Sequence, residues 1–161
     1  MEKGNQLQNV DHSSIKVSQI TLIFLNIVAF IINSHWLVVL TTFFMLVGVL
    51  SKKPAFSVVY KYGLKLLNLV KAEILKDNPE PHQFAQLLGT IFMAIGSSFL
   101  LLRVPIIGWV FIWIVIALAA LNAFGGFCVG CAIYYWFGRL NISGFTKEPP
   151  TGTTPGRRPG G

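Results

Sequence analysis

Apolar residues in this chain come in long blocks separated by short polar breaks. Val17 to Asn33 is a nearly continuous apolar run, Ser34-His35 interrupts it, and Trp36 to Leu50 resumes it. Residues 17–50 as one helix would reach roughly 51 Å at about 1.5 Å per residue, well beyond a hydrocarbon core of about 30 Å. Two short spans, 17–33 and 36–50, joined at Asn33-Ser34-His35, fit that thickness better than one long tilted helix. Further along, residues 84–102 form a third apolar run, with small residues at Gly89, Ala94, Gly96, Ser97 and Ser98 that allow helix backbones to approach closely in lipid. The last apolar block, 106–137, would measure roughly 48 Å as a single helix. Asn122 and Gly125-Gly126 offer a break, so a fourth span is expected over 106–124, followed by a separate segment at 125–137. Trp136, Tyr134 and Tyr135 fit an aromatic belt at the membrane surface.

Residues 55–76 follow a different pattern. Phe56, Val59, Tyr60, Gly63, Leu64, Leu67, Val70 and Ile74 recur at helical spacing, and Lys61, Lys65, Asn68, Ala72 and Lys76 mark the opposite stripe. An amphipathic helix with lysines on its wet face suits the headgroup layer of a bilayer. Polar residues 1–16 predict a loose N-terminal arm, and the Pro-, Gly- and Thr-rich residues 141–161 a disordered tail.

Composition agrees with lipid as the solvent. Hydrophobic residues make up 53% of the 161 positions and charged residues 12%, and the mean hydropathy is +0.64. A soluble domain this small could not hide so much apolar surface, whereas lipid-facing helices have no need to. The net charge of +7 is not a nucleic-acid signal, because the cations lie between apolar blocks and no RNA- or DNA-binding motif is present. With four spans, twelve of the thirteen Lys and Arg residues fall on one side, and Arg103 alone on the other. The positive-inside rule then predicts an all-α protein of the plasma (inner) membrane, with about four transmembrane helices, one interfacial helix and both termini in the cytoplasm.

The chemically distinctive feature is Cys128-Val129-Gly130-Cys131. This spacing serves thiol–disulfide exchange and metal capture, and two cysteines at i and i+3 of a helix lie near the separation that a disulfide needs. A helix starting after Gly125-Gly126 would put Cys128 near its N-terminus, where backbone N–H groups stabilise a thiolate. A cytoplasmic location would keep the pair reduced at rest. Three readings stay open for it: redox or sulfur chemistry, soft-metal binding, and packing alone. His12, His35 and His82 look scattered over both sides, so no complete metal site and no cofactor are expected. No span carries an Asp or Glu, which leaves no visible proton relay. Asn26 and Asn122 are expected to bond between helices.

Certain motifs resemble a family of small bacterial membrane proteins known as domain of unknown function 4395. Val10-Asp11 followed by Lys16-Val17 resembles its N-terminal motif, where arginine is more usual than Lys16. Pro81-His82-Gln83-Phe84-Ala85-Gln86 and Gly89 resemble the start of its third span. Phe124-Gly125-Gly126-Phe127-Cys128-Val129-Gly130-Cys131-Ala132-Ile133-Tyr134 resembles its closing signature. The resemblance covers roughly residues 10–140. It implies a membrane domain, an association with thiol or sulfur metabolism, and Cys128 and Cys131 as the family's paired cysteines. Two functional expectations follow. In one, Cys128 exchanges with a cytoplasmic thioredoxin-like or sulfur-carrier protein and Cys131 resolves. In the other, the chain is a non-enzymatic membrane scaffold or small transporter subunit, and the cysteines only pack.

Overall fold

A computed structural model describes residues 8–56, 73–140, 142, 144, 145, 147–149 and 152–158. The expected amphipathic helix over 55–76 lies largely outside these residues. Its last four positions, 73–76, are described, and they differ from the expectation. Ile74–Asp77 is a strand, β2, paired antiparallel with β1, Gln8–Asp11, in the register Gln8 to Asp77 and Asp11 to Ile74. The polar arm is therefore tied down from residue 8 onward, because its backbone groups find partners in β2.

Asp11 ends β1 and caps the first helix, α1 (His12–Ile31), by accepting from the backbone N–H groups of Ser13 and Ser14 at 3.1 and 3.4 Å. The chain turns at Asn33, whose φ of 50° is left-handed, and Ser34 caps α2 (His35–Leu50). The two apolar runs are thus separate helices joined at the expected break. Helix α3 (Pro79–Leu101) opens with proline in its first turn, where the missing N–H costs nothing. Arg103, also at positive φ, turns the chain into α4 (Pro105–Gly125). Asn122 stays helical, and the break falls at Gly126, which takes the left-handed conformation that ends α4. The last helix is α5 (Val129–Arg139).

Helices α1, α3 and α4 are long and apolar enough to cross a membrane; α2 is apolar but shorter. Leu22, Ala29, Val38, Met45, Met93, Leu100, Ile112 and Val115 form the core between them. Gly96 sits so close to α4 that a side chain there would meet the Gly108 carbonyl at 3.1 Å, and one at Gly108 would meet Leu100 at 2.7 Å. Of the small residues on α3, Gly96 is thus one that sets the helix spacing. The outside of the bundle is greasy: Trp36 is 76% exposed, Ile106 79%, and Phe24, Leu50 and Phe124 are exposed as well. Apolar surface on this scale belongs against lipid rather than water.

Two expectations are corrected here. Asn26 is fully buried, but its Nδ2 donates to Leu22 O of its own helix at 2.9 Å rather than across to a neighbour. Tyr134 and Tyr135 are buried, and Tyr134 packs against Phe84 and Phe145 with ring centroids 5.8 and 5.0 Å apart. Of the three belt aromatics, only Trp136 is exposed.

Candidate functional site

The β1–β2 ribbon brings distant parts of the chain to one end of the bundle. His12 N donates to Glu73 O at 3.0 Å, and Glu73 N donates to Ser13 Oγ at 3.1 Å. These bonds fix the first turn of α1 beside Asp77, the last residue of β2. Two residues later α3 begins, and its first turns carry His82.

Asp77 is the hub. Asn78 N donates to its Oδ1 at 2.7 Å, and His82 Nε2 lies 2.9 Å from its Oδ2. His12 Nε2 lies 3.2 Å from the same oxygen, an ion-pair distance without good hydrogen-bond alignment. Burial opposes ionisation of this carboxyl. The contacts from His12 and His82 and the Asn78 N–H outweigh burial and hold it well below the usual carboxylate range. An ionised carboxylate only accepts, so His82 Nε2 carries the proton and donates. In the neutral ring, Nδ1 is then a bare lone pair, and it lies 3.5 Å from Cys131 Sγ. Arg158 Nε donates to His12 Nδ1 at 3.4 Å, which leaves the His12 proton on Nε2, facing Asp77.

Cys128 and Cys131 are joined as a disulfide with Cα atoms 5.2 Å apart, inside the range the bond requires. The structure thus shows the pair in its oxidised form. Cys128 is the N-cap of α5, and its sulfur accepts from Cys131 N at 3.2 Å. The expected helix start after Gly125-Gly126 falls in this position. Gly130 is required by packing: a Cβ there would lie 2.6 Å from Ala85 Cβ, so only glycine lets α5 dock this tightly on α3.

Both cysteines are buried, at 5% and 2% exposure. Part of their cover comes from the tail expected to be disordered. Its described residues find backbone partners: Cys128 N donates to Gly156 O at 2.8 Å, Arg158 N donates to Gly126 O at 3.1 Å, and Phe127 bridges to Arg157. Arg158 also pairs with Glu73 at 3.3 Å, and Asn78 Nδ2 donates to Glu148 O at 2.8 Å. A recess of about 30 Å³ remains between His12, Asp77, His82, Cys128, Cys131 and Tyr135, with Lys16, Arg157 and Arg158 also on its walls. A larger cavity of about 510 Å³ shares Cys128 and His82 with it and runs between α1, α3 and α4 past Leu22, Phe92 and Val115.

The structure therefore unites Cys128 and Cys131 with three residues not singled out from sequence as a site: His12, Asp77 and His82. His35, at the start of α2, is not among them. The signal was present in the charge partition, which puts the segments holding His12, Asp77, His82 and the cysteines on one side of four spans.

The fold and site define a helical protein with helices long and apolar enough to cross a membrane and a CxxC pair at one end of the bundle. The chain belongs to the family described as domain of unknown function DUF4395, whose profile matches residues 10–139. No curated protein and no solved structure is significantly similar to it.

Proposed function

We propose that this is a multi-pass plasma-membrane protein, with both termini in the cytoplasm, whose Cys128–Cys131 pair exchanges two electrons with a cytoplasmic thiol protein of thioredoxin-like or sulfur-carrier type. The observation that carries this reading is the 3.5 Å approach of His82 Nδ1 to Cys131 Sγ, with the other ring nitrogen anchored on Asp77. A base held in place beside one cysteine of a CxxC pair has a clear use in exchange chemistry.

In the reducing direction, a partner thiolate attacks Cys128 Sγ. The intramolecular S–S bond breaks, a mixed disulfide forms, and Cys131 leaves as a thiolate that takes a proton. A second partner thiol then attacks the mixed disulfide at the partner's sulfur, releasing Cys128 as a thiolate stabilised by the α5 N-terminus. The partner is oxidised to a disulfide and the pair is reduced to a dithiol. In reverse, His82 Nδ1 accepts the Cys131 proton, and the Cys131 thiolate resolves a mixed disulfide on Cys128. Asp77 holds the ring so that Nδ1 stays turned toward Cys131 while the proton moves.

The orientation rests on the distribution of basic residues, and a C-terminal reporter fusion tests it. The exchange is tested by trapping: Cys131→Ser should accumulate a mixed disulfide with the partner at Cys128. If Cys128→Ser leaves alkylation behaviour under mild oxidation and the cellular phenotype unchanged, the reading fails. A small transporter subunit is the second reading. It is favoured by the 510 Å³ cavity, which has the size of a small-molecule site, and it predicts no trapped partner.

A further inference from the structure

We propose that the reduced form of the site binds a divalent ion of the zinc class through Cys128 Sγ, Cys131 Sγ and His82 Nδ1, with Asp77 orienting the histidine and the fourth position open to water. The inference deepens the exchange reading, on which it rests for a reducible cysteine pair.

The ligand atoms of His82, Cys128 and Cys131 all lie within 4.8 Å of one another. Zinc–sulfur bonds of about 2.3 Å and zinc–nitrogen bonds of about 2.0–2.1 Å place a tetrahedral N···S edge near 3.6 Å and an S···S edge near 3.8 Å. The His82 Nδ1 to Cys131 Sγ distance is already 3.5 Å. The sulfurs must separate, and reduction of the disulfide does this. Oxidation closes the site, because a disulfide offers no thiolate.

The second ring nitrogen supports the assignment. A metal-bound histidine nearly always donates its other N–H to a carboxylate or carbonyl, which fixes the ring and raises its basicity. His82 makes this bond to Asp77 at 2.9 Å, and Asp77 is in turn held by Asn78 N and faced by His12. The neighbouring trio His12, Asp77 and His82 also has ligand spacing. It uses the His82 nitrogen that Asp77 occupies, so it serves as the supporting layer.

Charge favours a divalent ion. Two thiolates and one such ion sum to zero, so the complex adds no net charge to a buried recess already lined by Lys16, Arg157 and Arg158. Two free thiolates would have to be held there as anions. Binding is a proton displacement: two S–H bonds are lost, two metal–sulfur bonds form, two protons leave, and no electron moves. The recess of about 30 Å³ has room for a water at the fourth position.

The full chain in detergent, reduced with a phosphine, is titrated with cobalt(II), which reports thiolate ligation by charge-transfer absorption and tetrahedral geometry by its visible bands. One ion per chain is expected in the reduced protein and none in the oxidised protein, with zinc(II) displacing the cobalt. Asp77→Asn should weaken the affinity about 10- to 100-fold, and His82→Ala should do so further and change the visible bands. No thiolate band in the reduced wild-type protein, or bands that His82→Ala leaves unchanged, would overturn the proposal. The comparison of the two redox states needs no variant to fold. If the thiols exchange with a partner but bind no metal, this inference falls and the exchange reading stands. If metal binds but no partner is ever trapped, the metal site stands and the exchange reading falls.

Discussion

Asp77 Oδ2 receives His82 Nε2 at 2.9 Å, and this one contact decides which nitrogen His82 turns toward Cys131. A carboxylate that sets a tautomer has a kinetic signature. With His82→Ala, resolution of a Cys128 mixed disulfide by Cys131 should slow by roughly a hundredfold or more. Stopped quenching with acid, followed by gel separation of the mixed species, measures it. An unchanged rate would remove His82 from the exchange chemistry.

The same carboxylate makes stability pH-dependent. Its proton is held less tightly in the folded chain than in the unfolded one, so the unfolded state binds more protons as the pH falls. The stabilisation is complete above the ordinary carboxylate value and fades as pH falls through the depressed folded one. In oxidised protein kept free of metal by chelator, the melting temperature should fall below about pH 5. It should fall less in Asp77→Asn, so the gap between the two narrows with acidification. Parallel curves would contradict the assignment.

Gly130→Ala places a methyl group 2.6 Å from Ala85 Cβ. Overpacking of this kind costs about 1–3 kcal/mol, and Ala85→Gly should restore part of it. Thermal melts of the two single variants and the double variant give the coupling. Additive effects would mean that α5 does not press on α3 at this point.

Gly156 has a φ of +86°, and a side chain there would lie 2.8 Å from the Cys128 carbonyl. Gly156→Val should lift the strap formed by its neighbours and expose the disulfide. Reduction by a bulky thiol should then speed up several-fold, while the α-helical circular dichroism stays constant. If the rate does not change, the tail does not limit access.

In intact cells, reduced Cys128 and Cys131 should react with membrane-permeant maleimides and resist impermeant ones until the membrane is opened. Labelling from outside would invert the proposed orientation.

The helices were legible because lipid imposes a coarse rule: apolar runs must be long, and the breaks between them are polar or glycine-rich. Asn33-Ser34 and Gly126 stand where that rule put them. The ribbon was not legible, because four residues such as Gln8–Asp11 carry no alternation strong enough to announce a strand. Ile74 and Lys76 in β2 also satisfied a helical stripe as well as they satisfy a strand. The cysteine pair was visible from its spacing, and the Cys128 cap from Gly125-Gly126. Its histidine and carboxylate neighbours were hidden, because His12, Asp77 and His82 converge only through the ribbon and have no spacing of their own. The tail read as disordered from composition, which does not register that single backbone amides can be met by a neighbour such as Gly126.

The cover over the cysteines is supplied late in the chain. Cys128 N and Gly126 O find their backbone partners only in Gly156 and Arg158, well after α5 is complete in the sequence. A chain cut just before Gly156 would therefore keep α5 and its docking glycine but leave that amide and that carbonyl without these partners, which separates the folding of the bundle from the closing of its CxxC end.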